Sequence, residues 1–190
     1  MGEMEPWVAR DMSGAYVELE HPADVFLEIR GPSLEELFEN GLYAFYDHVA
    51  DLRGVSLGQE MRLEISGASP AEALRGLLAE ALYRFETDGF VGAAAEVEIH
   101  SATPQPPGTS PGASSGAALG ASPEAPRPPG APPGAVQASS AVRVAAEVFG
   151  ERVERTRHTL LAEVKAVTYH RLEAWAEPGN GWKATVLLDV

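Results

Sequence analysis

The stretch VFLEIRGPSLEELFENGLYAFYDHVA, residues 25–50, contains a strand, a stop and a helix in close succession. The run VFLEI at 25–29 is typical of a strand. Gly31 and Pro32 interrupt it, and Ser33 followed three residues later by Glu36 has the spacing of a helix-capping box. Apolar residues then recur at helical spacing, which predicts an amphipathic helix to about Ala50. These residues are Leu34, Leu37, Phe38, Leu42, Phe45 and Tyr46.

The same signals recur on either side of this stretch. YVELEH at 16–21 predicts a strand that reaches residues 25–29 through the tight connection 21–24. MRLEISG at 61–67 predicts another strand, and Ser69 with Glu72 predicts a second capped helix, which TDG at 87–89 ends. HRLEAWAEP and GWKATVLLDV flank PGNG at 178–181 and predict a hairpin. The segment 159–168 fits either a short helix or a strand.

Residues 101–141 have a different composition from the rest of the chain. They contain no aromatic residue and only two charged ones, Glu124 and Arg127. Such a segment buries too little apolar surface to offset its ordering entropy, so we predict a disordered insert rich in Pro, Gly, Ala and Ser. Predicted strands flank it, AAAEVEIH before and VRVAAEVFG after. We therefore expect one domain over 15–190, interrupted by this insert and preceded by a flexible N-terminal extension, 1–14.

Two long helices and several hairpin-like strands indicate an α/β protein of the α+β type. The expected architecture is a mixed, mainly antiparallel sheet covered by the two helices.

The composition excludes several kinds of binding site and argues against some classes of function. With 28 acidic and 14 basic residues the formal net charge is −14, which argues against direct nucleic-acid binding, because such binding depends on Lys and Arg at phosphates. The absence of cysteine excludes disulfides, thiolate zinc sites and cysteine nucleophiles. No signal peptide or membrane span is predicted, so we expect a cytoplasmic protein without a membrane partner.

Two acids at strand ends are the candidate site. Asp24 lies in the connection before a strand, and Asp189 closes an otherwise apolar one. The commoner explanation is a turn residue and an acid at a frayed end. The alternative is that both carboxylates and a main-chain or terminal oxygen of Val190 converge as ligands for a hard cation such as Ca²⁺ or Mg²⁺. From these residues alone both explanations stay open.

The run GERVERTRHTLLAEVKAVTYH at 150–170 concentrates basic side chains in an acidic protein. A solvated loop followed by an element with alternating charged and core residues is the commoner explanation of this composition. The alternative is a polar cluster that supports a site or meets a partner. The five histidines show no zinc-binding spacing, and neither a phosphate-binding glycine loop nor a nucleophile elbow occurs. The sequence thus contains no catalytic motif.

Three elements together resemble the archease family, in the order and approximate spacing of that family. They are H-x-A-D at 21–24, E-V-K-A-x-T-Y-H at 163–170, and the closing L-D-V at 188–190. The likeness covers nearly the whole chain outside the N-terminal extension and the insert.

This resemblance implies an archease-like fold and a non-catalytic role. The expected function is that of a protein cofactor for an RtcB-type RNA ligase in tRNA splicing and RNA repair, which promotes guanylylation of the ligase and its multiple turnover. The implied metal ligands are Asp24, Asp189 and the main chain of Val190. The expected metal is Ca²⁺, with Mg²⁺ and Mn²⁺ as alternatives. Residues that would support the metal or face the partner are His21, His158, Glu163 and Lys165.

Two other classes of function remain as alternatives. One is a metal-dependent hydrolase in which a carboxylate or histidine acts as general base. Its residues would be Asp24, His158, Glu163, His170 and Asp189. The other is a chaperone or modulator of RNA-modifying enzymes, with the acidic surface as its interaction face.

Overall fold

The structure, a computed structural model, describes residues 4–101, 136–137, 141–177, 179 and 181–190. The long helices are α1 (Leu34–Val49) and α2 (Pro70–Asp88), and short 3₁₀ turns occur at Trp7–Ala9 and Leu52–Gly54. The strands are β1 (Tyr16–Leu19), β2 (Val25–Gly31), β3 (Gln59–Gly67), β4 (Phe90–Ser101), β5 (Val136–Gln137), β6 (Val142–Arg152), β7 (Ala166–Val167), β8 (Glu173–Glu177) and β9 (Gly181–Asp189).

The strands form two sheets, with the helices between them. One sheet has the order β1-β2-β9-β8-β5, and β7 also pairs with β9; the other has the order β3-β6-β4. Every strand pair among the described residues is antiparallel. Each helix contacts strands of both sheets. The predicted α+β class, with two long helices and antiparallel strands, is confirmed. The two-sheet arrangement was not foreseen, because periodicity identifies strands but not their partners.

Both predicted helix caps are present. The Ser33 hydroxyl oxygen accepts a hydrogen bond from the Glu36 N–H at 3.1 Å, and the Ser69 hydroxyl oxygen accepts one from the Glu72 N–H at 3.3 Å. Each bond satisfies an amide that the first helical turn leaves without a backbone partner. At the other end of α2, Gly89 takes a left-handed conformation with φ 66°.

A glycine at the end of a strand precedes each capped helix. A Cβ added to Gly31 would lie 2.4 Å from the backbone N of Leu37, and one added to Gly67 would lie 2.4 Å from the backbone N of Ala73. Only glycine allows each strand end to approach the first turn of its helix this closely. These contacts place each helix directly against the strand that leads into it.

The last third of the chain is mainly extended. The predicted hairpin of β8 and β9 is confirmed, with Glu177 opposite Gly181; Pro178 and Asn180 of its turn lie outside the described residues. The segment 159–168, for which helix and strand both stayed open, is extended. Leu160 bridges to Ala50, and β7 pairs with the end of β9.

The segment 102–135 lies outside the described residues, as do residues 138–140, so the disorder predicted there stays a prediction. Its position in the topology is clear, because Ser101 at the end of β4 pairs with Val142 at the start of β6. The insert therefore joins neighbouring antiparallel strands, as expected. Within the range predicted to be disordered, the structure describes β5, which pairs with β8.

The chain near Trp7 packs into the core, which differs from the flexible extension predicted for 1–14. The Trp7 side chain is fully buried, and its ring lies 5.7 Å from that of Tyr43 and 6.4 Å from that of Tyr46. Its indole N–H donates to the Glu39 carboxylate at 3.3 Å. A single aromatic residue in a polar run creates no periodicity, so the sequence alone gave no sign of this anchor.

We expect Trp7→Ala to lower the free energy of unfolding by about 3–5 kcal/mol, because it removes a large buried ring. Urea denaturation followed by circular dichroism measures this change. The neighbouring Val8 is 48% exposed, so Val8→Ala is the matched control, with an expected change within about 0.5 kcal/mol. Equal effects of the two substitutions would show that Trp7 does not anchor the N-terminal segment.

Candidate functional site

Asp24 and Asp189 lie at the same end of two neighbouring strands in the larger sheet. Val25 pairs with Leu188 at this end of the antiparallel ladder of β2 and β9. Asp24 directly precedes Val25, and Asp189 directly follows Leu188. The fold therefore brings two acids that are far apart in sequence to the same end of the ladder.

The segment before β7 runs along the other side of Asp189. Ala166 pairs with Asp189, and the Lys165 N–H donates to the Asp189 main-chain oxygen at 2.8 Å. Val190, the third proposed ligand, follows directly and packs against the core. Asp189 is therefore held between β2 and the 160s segment. We call this group of Asp24, Asp189 and Val190 the acidic edge.

The donors of the acidic edge suit a hard cation. Carboxylate and main-chain oxygens are the usual ligands of Ca²⁺ and Mg²⁺. Among the described residues, no group of three or more His, Asp or Glu side chains lies close enough to hold a metal ion. A metal at this edge would therefore take its third protein ligand from the main chain of Val190 and complete its coordination with water.

His21 lies against Asp24. Its Nδ1 is 3.1 Å from the Asp24 Oδ2 and 3.3 Å from the Asp24 backbone N. This nitrogen accepts from the backbone N–H when it is unprotonated and donates to the carboxylate when it is protonated. His21 is thus placed to orient the Asp24 carboxylate.

His158 occupies a different environment from the acidic edge. Its side chain is only 2% exposed; its Nδ1 accepts from the Glu154 N–H at 2.9 Å, and its Nε2 lies 3.2 Å from Glu151 Oε1. Both ring nitrogens are engaged, so neither is free to bind a metal or to act as a general base. Its burial leaves His158 little surface for a partner, and its predicted role in supporting a metal stays a prediction.

Glu151 is the centre of this buried cluster, and the sequence analysis missed it. Burial raises its pKa, but hydrogen bonds outweigh that effect and hold the pKa at about 2. The donors are Arg157, the Ser56 N–H at 2.6 Å and His158. Because Ser56 is far from Glu151 in sequence, no local sequence pattern predicts this contact.

A strip of exposed side chains leads from the His158 cluster to the acidic edge. Leu160 is 43% exposed and Leu161 58%, although both are large and apolar. Glu163 and Lys165 are exposed on either side of the buried Val164. We call Leu160, Leu161, Glu163 and Lys165 the 160–165 strip. Its members meet solvent, so Glu163 and Lys165 are available to a partner.

Two further predicted residues lie near this segment. His170 is exposed and its main-chain N–H donates to the Thr168 hydroxyl at 3.2 Å. The adjacent Tyr169 is 68% exposed, and its ring packs beneath the Arg75 guanidinium, whose carbon is 3.8 Å from the ring centroid. Of the residues proposed for a hydrolase site, only Asp24 and Asp189 are brought together by the ladder.

The comparison with protein families decides the assignment. The model of the "Archease protein family (MTH1598/TM1083)" matches residues 16–105 and 131–190. This chain belongs to the archease family. The family match omits most of the segment predicted to be an insert, and it includes the acidic edge and the 160–165 strip.

Individual relatives agree with this assignment. The archease of Methanosarcina mazei is 28% identical over 175 residues, which cover 92% of this chain and 95% of that protein. The archease of Archaeoglobus fulgidus is 38% identical over 84 residues, 44% of this chain and 61% of that protein. The solution structure of protein 1598 from Methanobacterium thermoautotrophicum aligns with a TM-score of 0.63 at 22% identity, over 93% of this chain and 99% of that one. This likeness shows the shared fold.

In the part of the chain that the structure describes, no helix is long and apolar enough to cross a membrane. The cytoplasmic location stays a prediction.

The Glu151 cluster makes stability depend on pH in a defined direction. The fold lowers the pKa of Glu151 from its ordinary 4.5 to about 2, so the unfolded chain binds a proton first as the pH falls. The stabilisation is therefore complete above pH 4.5 and is lost as the pH falls towards 2. We expect wild type to lose more stability than Glu151→Gln across this window, measured by urea denaturation at a series of pH values.

Glu154→Gln is the control, because the Glu154 side chain is 65% exposed. Its pH profile should follow that of wild type. If Glu151→Gln also follows wild type, the carboxylate does not have the low pKa that its contacts indicate.

Proposed function

We propose that this archease is a non-catalytic protein cofactor of an RtcB-type RNA ligase. In this proposal it promotes guanylylation and multiple turnover of the ligase during tRNA splicing and RNA repair. The observation that supports it best is the β2–β9 register, whose last pair, Val25 and Leu188, directly adjoins Asp24 and Asp189. The nucleotide and the nucleophile belong to the ligase.

The acidic edge is the part of the protein that would act on the ligase. Asp24, Asp189 and the main chain of Val190 would hold a divalent ion, with Ca²⁺ the first expectation and Mg²⁺ or Mn²⁺ the alternatives. A bound divalent ion would supply a positive charge that stabilises phosphate oxygens. His21 would orient the Asp24 carboxylate, since it contacts that group directly.

The 160–165 strip is the proposed contact with the ligase. It exposes apolar and charged side chains together. Its backbone is also hydrogen-bonded to the acidic edge, because the Lys165 N–H donates to the Asp189 main-chain oxygen. A partner that covers this strip therefore comes into contact with the acidic edge. The net charge of −14 fits binding to a protein better than direct binding to RNA.

The alternative of a metal-dependent hydrolase receives less support. Its proposed histidine, His158, has both ring nitrogens engaged within a buried cluster. A chaperone role remains the second candidate, since the exposed apolar side chains Leu160 and Leu161 suit binding to an unfolded segment.

We expect Asp24→Asn and Asp189→Asn each to remove most of the stimulation of ligase guanylylation. Each substitution keeps the shape of the side chain and removes one negative charge from the acidic edge. The measurement is the rate of transfer of labelled GMP to the ligase, with the archease present or absent and with Ca²⁺, Mg²⁺ or Mn²⁺ varied. Terbium luminescence on the archease alone measures metal binding separately.

Asp88→Asn is the matched control, because Asp88 lies at the end of α2 on the surface and does not belong to the acidic edge. It should stimulate the ligase as wild type does. Full stimulation by both edge variants would refute the proposed role of the acidic edge, whatever their affinity for terbium.

The 160–165 strip is tested separately with Leu161→Ser. We expect at least a tenfold loss of affinity for the ligase with terbium binding unchanged, because Leu161 is 58% exposed and lies outside the acidic edge. Val8→Ser is the control, since Val8 is also exposed and is far along the chain from the strip. Binding is measured by calorimetry. An unchanged affinity of Leu161→Ser would place the ligase contact elsewhere.

A further inference from the structure

A cavity lies on the face of the larger sheet that points away from the helices. The helix-facing side of β2 and β9 carries fully buried residues such as Leu27, Ile29 and Val186. The opposite side encloses a cavity of about 290 Å³. Its lining includes Phe26, Glu28, Arg171, Glu173, Trp175 and Thr185. Its volume is close to the lower limit of about 300 Å³ for ligand pockets, which suits a single side chain.

Two carboxylates flank this cavity, and they differ in how they are neutralised. Glu28, Thr185 and Glu173 form one cross-strand row on β2, β9 and β8. The Glu28 carboxylate pairs with Arg30 at 2.8 Å and lies 3.8 Å from the Lys183 ammonium. Among the described residues, no such partner is found for Glu173, and burial raises the pKa of its carboxyl. Glu173 therefore lacks a counter-ion in its partly buried position.

The Phe26 ring already contacts a cationic side chain of this protein, that of Arg171. The Arg171 guanidinium carbon lies 5.4 Å from the centroid of the Phe26 ring, within the distance of a cation–π contact. Arg171 has φ 52°, an uncommon backbone conformation, and its carbonyl accepts from the Thr185 hydroxyl at 2.6 Å. This turn holds Arg171 at the cavity, where its guanidinium lies against the Phe26 ring.

Trp175 forms part of the cavity wall. Its side chain is 4% exposed, and its indole Nε1 is buried without a hydrogen-bond partner among the described residues. The indole N–H signal of Trp175 therefore reports on occupation of the cavity.

We propose that this cavity binds the side chain of an arginine or lysine presented by a peptide segment of a partner. Glu173 is its counter-ion, and Phe26 is the ring against which the cation lies. Arg171 competes with the ligand for the Phe26 face. This site shares no residue with the acidic edge, and it does not depend on the proposed role in ligation.

The test uses Nα-acetyl-arginine amide as the probe and the indole N–H signals of the full chain in two-dimensional ¹⁵N NMR. We expect a saturable shift of the Trp175 signal, with the Trp7 signal unchanged because Trp7 is buried elsewhere in the core. Nα-acetyl-citrulline amide has nearly the same shape without the charge and should bind at least tenfold more weakly.

Variants assign the roles of individual residues. Glu173→Gln should weaken binding of the arginine probe at least fivefold, and Arg171→Gln should strengthen it, since the competing guanidinium is removed. Glu96→Gln changes the charge equally on the other sheet and should leave binding unchanged, and retained signal dispersion confirms that each variant is folded. Equal binding of the arginine and citrulline probes, or unchanged binding to Glu173→Gln, would overturn the proposal.

Discussion

The antiparallel ladder between β2 and β9 is the constraint on which the rest of the molecule depends. Gly181 has φ 84°, and a Cβ there would lie 2.4 Å from the Gly31 main-chain oxygen, so the two strands are in close contact where β9 begins. From this fixed end the register runs to Val25 and Leu188. A slip of one residue would turn Thr185 towards the helices in place of the fully buried Val186, and the apolar core would then contain a hydroxyl group. Asp24 and Asp189 adjoin the other end of this ladder, so their positions depend on the register that the Gly31–Gly181 contact helps to fix.

The basic run at 150–170 combines two different kinds of polar residue. Glu151 and His158 are largely buried and satisfy each other, which fixes the conformation of the loop after β6. Glu163 and Lys165 are exposed and their side chains are left to solvent. In the first half of this run, polar side chains therefore stabilise the fold. In the second half, polar side chains are free to contact a partner. Burial, not residue type, separates the two roles.

Local interactions were the predictable part of this structure. The caps at Ser33 and Ser69 and the β8–β9 hairpin depend on residues a few positions apart, so short patterns identified them. Pairing of strands into two sheets and burial of Trp7 depend on contacts between distant segments. The candidate ligands Asp24 and Asp189 were identified by resemblance to a family. Their proximity required knowledge of the register, which no local pattern contains.

The junction of Ser101 with Val142 has a consequence for how this protein can change through evolution. The two residues are paired at the ends of β4 and β6, in the sheet that does not contain the acidic edge. The family match is itself interrupted between residues 105 and 131, within the segment that this pair encloses. Selection can therefore lengthen, shorten or replace that segment while both strand ends stay paired. Lineages can acquire new sequence here without disturbing the residues that the family shares.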